Sequence, residues 1–396
     1  MSKQNDGASD AWSPATRILH DGRDPAGQHG FVNAPVYRGS TVLFPTLDAL
    51  EAYDTQRFKY GRHGTPTTAA LEEALCRLEG GARTVLTASG YQAVTTALLA
   101  FVKAGDHVLM VDSVYQPTRH FCDTMLARLG VATTYYDPLV GAGIADLMQP
   151  NTRVVFTESP GSLTFEMQDI GAIAKAAHAR DAVVIMDNTW ATGLYFQPLT
   201  HGVDVSINAC TKYIVGHADA MLGAITANDA TAKRIVDART TLGGCPGSEE
   251  TYLGLRGLRT LAVRLAQHQR SALAVADWLA ARPEVARVLA PARPSDPGHA
   301  LWKAQYCGAS GLFSVILKPA PRAGLAAMLD GLKLFGMGYS WGGYESLIVP
   351  FDPTRFRTAT TWSAEGQALR LHIGLDDPKD LIADLDAGFA RLNAAR

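Results

Sequence analysis

Five short stretches of this chain are almost wholly apolar and recur between helical ones, and this limits the fold more than any other feature. They are "RTVLTA" (Arg83 to Ala88), "HVLMVD" (His107 to Asp112), "TRVVFTE" (Thr152 to Glu158), "AVVIMDN" and "VDVSINA". A strand with one wet face alternates apolar and polar residues, whereas a strand covered on both faces does not. Between them, "YQAVTTALLAFV" and "DIGAIAKAAHAR" read as helices. Repeated strand–helix units of this kind predict an α/β domain with a mainly parallel sheet.

The flanks read differently. Residues 1–62 lack sustained periodicity and carry scattered Gly and Pro, as an arm packed on something else would. "PTTAALEEALCRLEGG" places Leu71, Leu75 and Leu78 on one helical face and ends at Gly80-Gly81. Around Gly254–Arg259 the texture shifts to a long helix over Leu258–Ala281, then the Pro-rich "PARPSDPG". "GLFSVILK", "ALRLHIG" and the helical "DLIADLDAGFARLNAA" follow. A chain of 396 residues exceeds one ordinary domain. Three parts are expected: an arm over 1–62, an α/β domain over 63–259 and a smaller α+β domain over 260–396.

The charge balance excludes some partners. Thirty-six basic residues face 38 acidic ones without a basic run, so neither nucleic acid nor an anionic membrane is an expected partner. The five cysteines form no C-x-x-C pair and mostly sit in apolar stretches, as reduced cytoplasmic thiols do. The polar start "MSKQNDGASDAWSP" has no apolar signal core, and no uninterrupted apolar run reaches membrane-spanning length.

In open α/β sheets ligands bind beyond the carboxyl ends of the strands, so the residues that follow each strand carry the chemistry. After Arg83–Ala88 comes "SGYQ", with Gly90 at a helix entrance. That is either an ordinary βα turn or an anion cradle of free N–H groups. After His107–Asp112, Tyr115 stands at a strand mouth, as packing or as a face for a flat ligand. Asp187 ends an apolar strand, as a cap or as the partner of a ring-nitrogen cation. Thr211-Lys212 follows the last strand. A lone lysine there usually snorkels to water, but burial would make it a neutral amine. Anion cradle, aromatic face, acid and lysine at consecutive strand ends suit pyridoxal 5'-phosphate, whose aldehyde needs a neutral amine nucleophile. "GAGIAD" lacks the third glycine of a dinucleotide fingerprint. There is no H-E-x-x-H, no His/Cys cluster at zinc spacing, so no metal, and no G-x-S-x-G.

With "YGRHGTPT", "ASGYQAV", "ESPGS", "MDNTWATG", "ACTKYIVGH", "SWGGYESL" and "LRLHIGLDD" in place, the chain resembles the Cys/Met-metabolism pyridoxal-phosphate enzymes from about Thr16 onward. Trp341 and Tyr344 are similar to the bacterial cystathionine β-lyase branch. The resemblance implies the aspartate-aminotransferase-like fold of the pyridoxal-phosphate transferases (fold type I), with Lys212, Tyr115 and Tyr60 as catalytic residues. It implies Lys212 as the attachment point, Asp187 on the ring nitrogen, Tyr115 stacked on the ring, and Gly90, Tyr91, Thr189 and Thr211 around the cofactor. Tyr60 and Arg62 would reach the phosphate of a neighbouring subunit. Arg370 would bind the substrate α-carboxylate, with Tyr339, Ser340 and Trp341 lining the pocket. Ala209 and Ser162 depart from the serine and asparagine of many relatives.

The implied reaction is β-elimination of L-cystathionine, or a related cysteine S-conjugate, to homocysteine, pyruvate and ammonia, a step of methionine synthesis. The implied assembly is a cytoplasmic homotetramer of dimers that share active sites. A γ-lyase, γ-synthase or methionine γ-lyase activity and a cofactor-binding regulatory protein are the alternatives, since the lysine and aspartate serve β- and γ-elimination alike.

Overall fold

The computed structural model of the protein describes residues 11–363 and 366–395. Its larger sheet contains β1 (Arg83–Thr87), β2 (His107–Val111), β3 (Ala132–Tyr136), β4 (Thr152–Glu158), β5 (Val183–Asp187), β6 (Val205–Asn208) and β7 (Gly223–Ala227). They lie in the order β1-β7-β6-β5-β4-β2-β3. Strand β7 runs antiparallel to both neighbours, and every other pairing is parallel. The carboxyl ends of β1, β2, β4, β5 and β6 therefore share one edge. Val108–Val111 of β2 are buried throughout, as are Val184–Met186 of β5, because helices cover both faces of the sheet. The five expected strands are present to within two residues at each end.

Two strands of this larger sheet went unforeseen. The edge strand β3, "ATTYY", is half exposed and rich in threonine, so it lacks the apolar signature. β7, "GAITA", opens with Gly223, where a Cβ would lie 2.3 Å from the Ser89 carbonyl oxygen. The glycine that reads as a loop signal is required by the close approach of β7 to the start of the helix Gly90–Phe101.

The smaller sheet holds β8 (Val285–Leu289), β9 (Leu312–Leu317), β10 (Phe335–Gly336), β11 (Ser346–Phe351) and β12 (Ala368–His372), in the order β10-β11-β12-β9-β8. Its core joins Phe313, Leu369 and Leu371 to Leu325, Leu385 and Phe389 of the helices Arg322–Asp330 and Pro378–Ala394. The long helix starts ten residues before the expected Leu258, spanning Ser248–Ala280. Gly254 and Gly257 misled the reading. They sit in the helix interior because a Cβ on Gly254 would meet Leu222 Cδ2 at 2.8 Å, and one on Gly257 would meet Ile214 O at 2.2 Å. The helix thus presses directly on the backbone that follows Lys212.

Residues 11–65 form short helices at Pro14–His20 and Leu47–Glu51 and single 3-10 turns at Tyr53–Thr55 and Gly61–His63, joined by irregular chain. Ile18 packs into a cluster with Leu71, Leu75, Leu258 and Leu261, and Arg259 Nη1 donates to the carbonyls of Ile18 and Asp21. No helix among the described residues is long and apolar enough to cross a membrane. Gly257→Ala forces overpacking against the Ile214 and Val215 carbonyls. The expected cost is about 1–3 kcal/mol, read as a thermal midpoint several degrees lower.

Candidate active site

A cavity of about 690 Å³ opens at the carboxyl edge of the larger sheet. Gly90, Tyr91, Tyr115, Asp187, Thr189, Thr211 and Lys212 line it from that side, and Tyr339, Ser340, Trp341 and Arg370 line it from the smaller domain. Eleven of the expected site residues thus meet in one place. Tyr60 and Arg62 do not. Tyr60 is bridged to Thr41, and Arg62 Nη1 donates to the Thr240 carbonyl at 3.1 Å, away from this chain's own cavity.

Lys212 follows β6 by a short turn in which its N–H donates to the Ala209 carbonyl. Its Nζ donates to Ser340 Oγ at 2.6 Å and lies 5.3 Å from the centre of the Trp341 ring. Burial, then the Arg370 guanidinium, hold its pKa down to about 8; Asp187 and Glu345 pull the other way. The strand-end lysine is therefore a poised amine and not a snorkelling one.

Asp187 ends β5 with Oδ1 accepting the Thr189 N–H at 2.9 Å. Burial raises its pKa, opposed by the Thr189 hydrogen bonds and by the charge of Lys212. A carboxylate so desolvated is suited to a cationic partner in the cavity. Thr189 Oγ1 accepts the Ala209 N–H at 2.9 Å, which ties the acid's loop to the lysine's. Ser89 caps the helix Gly90–Phe101 through the Gln92 N–H, which leaves the Gly90 and Tyr91 N–H groups at its start. A Cβ on Gly90 would stand 2.4 Å from that of Ala209, so only glycine lets this cradle approach the lysine turn. Thr211 lines the cavity while its hydroxyl exchanges hydrogen bonds with Leu222. Phosphate cradle, buried carboxylate and poised amine fit pyridoxal phosphate.

Ser340 connects the two halves of the site. Its backbone lies in the left-handed region at φ 85°, and its carbonyl accepts Arg370 Nη2 at 3.0 Å while its hydroxyl accepts Lys212. Gly342, at φ 90°, packs so tightly that a Cβ would lie 2.8 Å from the Lys212 carbonyl carbon. Arg370 is buried on β12, and its Nε has no partner among the described residues. A buried guanidinium facing a cavity is matched to a carboxylate ligand.

Two acids escaped the sequence reading. Glu158, within "ESPGS", accepts the Tyr115 N–H at 2.8 Å and so sets the loop of that aromatic. Burial and then the neighbouring Asp187 push its pKa well above the carboxylate range. Glu79 lies under the floor, where Ser206 Oγ, Asn208 Nδ2 and Asn188 Nδ2 donate to it at 2.7, 3.0 and 3.3 Å. An acid at a helix carboxyl terminus opposes the helix dipole, and that misplacement is the signal that could have found Glu79.

The lowered Lys212 pKa has a kinetic consequence. Reaction with an aldehyde needs the neutral amine, so uptake of pyridoxal phosphate by the apoprotein, followed by visible absorbance, speeds up as pH rises towards 8 and levels above it. An ordinary lysine would keep gaining to about 10.4.

The profile of the family described as Cys/Met metabolism PLP-dependent enzyme matches residues 15–390. A Rhizobium johnstonii protein with a provisional cystathionine beta-lyase name is 54% identical over 383 residues, 96% of each chain. The cystathionine beta-lyase of Escherichia coli strain K12 is 46% identical, over 95% of this chain and 98% of that one. The solved cystathionine gamma synthase of Xanthomonas oryzae pv. oryzae, in complex with cystathionine, superposes with a TM-score of 0.89. It is 32% identical, over 97% of this chain and 100% of that one. With its strand-end lysine and its cavity intact, this chain belongs to the Cys/Met-metabolism PLP-dependent enzymes.

Proposed function

We propose that the protein is a cystathionine β-lyase that cleaves the Cβ–S bond of L-cystathionine to homocysteine, pyruvate and ammonia. The observation that carries this reading is Lys212 Nζ held between Ser340 and Trp341, in a chain 46–54% identical to proteins so named. Bound pyridoxal phosphate supplies an electron sink for the charge that develops at the substrate Cα. Gly90, Tyr91 and Thr211 would hold its phosphate, Tyr115 would cover its ring, and Asp187, with Thr189 behind it, would pair with its nitrogen. Arg370 takes the substrate α-carboxylate on its planar donor fork. That contact orients the Cα–H bond towards Lys212, and Ser340 Oγ keeps Nζ in place to remove the proton. Trp341 and the smaller domain keep water from the reacting carbon. As electrons move from Cα towards Cβ, the Cβ–S bond breaks and the departing thiolate takes up the proton that Lys212 removed from Cα. The 2-aminoacrylate left behind, once released, adds water and yields pyruvate and ammonia.

The same reading covers the assembly. Phe31, Val32, Leu43 and Leu47 of the first sixty residues are 71, 60, 87 and 67% exposed, an apolar surface that suits a second copy of this chain. In that copy Tyr60 and Arg62 complete the neighbour's phosphate site, so the working unit is a cytoplasmic tetramer of such pairs. The arm then ends near residue 62, and the cofactor domain passes to the smaller domain near residue 259.

Lys212→Ala removes both attachment point and base, so pyruvate release falls by about four orders of magnitude or more, at least about 5 kcal/mol in barrier. Pyruvate with homocysteine is the expected product pair; 2-oxobutyrate with cysteine overturns the β-lyase reading. Lys212→Ala and Arg62→Ala chains, each inactive alone, regain about a quarter of the normal activity when dissociated and reassociated together, because half the dimers are mixed and keep one intact site. No recovery would place Arg62 in its own chain's site.

A further inference from the structure

The cavity has a wall that the reaction leaves without a task. The segment 352–360 leaves the end of β11, and Asp352, Arg355 and Phe356 line the cavity from it. This segment of the smaller domain is pinned to the larger one. Asp112, directly after β2 and almost wholly buried, accepts Arg119 Nη2 at 2.6 Å and the Thr358 N–H at 3.0 Å on Oδ1. Its Oδ2 accepts the N–H groups of Ala359 and Thr360 at 3.1 and 2.9 Å and the Thr360 hydroxyl at 2.8 Å. Three successive backbone N–H groups around one carboxylate form an anion nest. These donors overcome the opposing effect of burial and hold the Asp112 pKa below its ordinary value. Beside the nest, Arg357 Nη2 donates to Glu166 Oε1 at 2.7 Å, a second, half-buried anchor across the domains. A surface loop held only by its own packing needs no such pair. The anchors fix where Asp352 and Arg355 stand relative to Lys212.

Those two residues carry opposite charges side by side. Arg355 Nε lies 3.4 Å from Asp352 Oδ2, and their side chains are 75 and 47% exposed. Asp352 Oδ1 accepts the N–H and hydroxyl of Thr354 at 3.1 and 2.6 Å, so the carboxylate is oriented before any ligand arrives. We propose that Asp352 and Arg355 form a subsite for the far end of the substrate, a zwitterionic amino-acid tail, with the ammonium on Asp352 and the carboxylate on Arg355. The proposal rests on the β-lyase reading and deepens it. The near end of such a thioether is taken by Arg370 and the cofactor, and its far ammonium and carboxylate enter the cavity with it. An exposed ion pair exchanges partners with a zwitterion without leaving either charge bare, so the match adds selectivity at little desolvation cost. Selection by apolar bulk alone would discriminate weakly between thioether tails.

The test compares L-cystathionine with S-ethyl-L-cysteine, which shares the reacting end and lacks the charged tail. Holoenzyme is used throughout, as unmodified chain, Arg355→Ala, Asp352→Ala and Asp112→Asn. Pyruvate release and the substrate-dependent absorbance of the bound cofactor are both followed. In Arg355→Ala and Asp352→Ala the ratio of kcat/KM for L-cystathionine to that for S-ethyl-L-cysteine falls about three- to tenfold, and the fall lies in the KM for L-cystathionine. Asp112→Asn turns an acceptor into a donor facing N–H groups, loosens the wall and moves the ratio the same way. Since both rim side chains are exposed, their removal does not threaten the fold. A ratio unchanged in both rim variants overturns the subsite. If no variant and no unmodified chain releases pyruvate, the β-lyase reading falls, and the absorbance titrations alone still decide whether the wall prefers the charged tail.

Discussion

The whole site depends on keeping one amine dry. Lys212 is an ordinary side chain whose environment moves its pKa from 10.5 to about 8. Burial does most of this, and the Arg370 charge adds to it. The same arginine is the group offered to a substrate carboxylate, so the guanidinium makes the amine easier to deprotonate until an anionic ligand arrives to cancel its field. Asp187 opposes the shift. The three groups therefore behave as a set, and none of their pKa values can be understood alone.

This set is assembled from both domains, which explains the odd backbone around it. A serine at φ 85° costs about 1–3 kcal/mol and persists only where its surroundings impose it. Here Arg370 holds its carbonyl and Lys212 its hydroxyl, while Gly342 is pressed onto the lysine backbone. His372, two residues beyond Arg370 on β12, accepts the Gly342 N–H at 3.1 Å from below. The strap 339–343 is thus trapped between a strand of the smaller sheet and the catalytic turn of the larger one. The interior glycines of the helix Ser248–Ala280 close the turn from the other side.

What could be read from the sequence followed from how completely each element is buried. Strands β2, β4, β5 and β6 have no wet face, and their apolar runs gave both their existence and the parallel sheet. Strand β3 is half exposed, and β7 opens on a glycine that tertiary contact demands, so neither shows a local signature. Gly254 and Gly257 hid the first ten residues of the longest helix for the same reason. Within the site, Lys212, Asp187, Tyr115 and Gly90 were legible as strand-end chemistry. Tyr60, Arg62 and Arg370 entered through resemblance alone. The partners of Glu158 and Glu79, a backbone N–H for one and a hydroxyl and two amides for the other, are brought together by folding; only the place of Glu79 at a helix end marks it along the chain.

The likeness to a solved γ-synthase sharpens where reaction choice must reside. A TM-score of 0.89 at 32% identity means that the backbone hardly distinguishes the two enzymes. Lysine, aspartate and cradle serve any chemistry that begins with loss of the Cα proton, so they do not distinguish β- from γ-elimination either. Difference is left to side chains that line the cavity away from the lysine and the cradle, and to these the smaller domain contributes Ser340 and Trp341 near the lysine and Asp352, Arg355 and Phe356 farther out. A wall supplied by one domain and clamped by a buried aspartate of the other can change its residues without disturbing the amine. The core chemistry can then stay constant while the substrate it serves drifts.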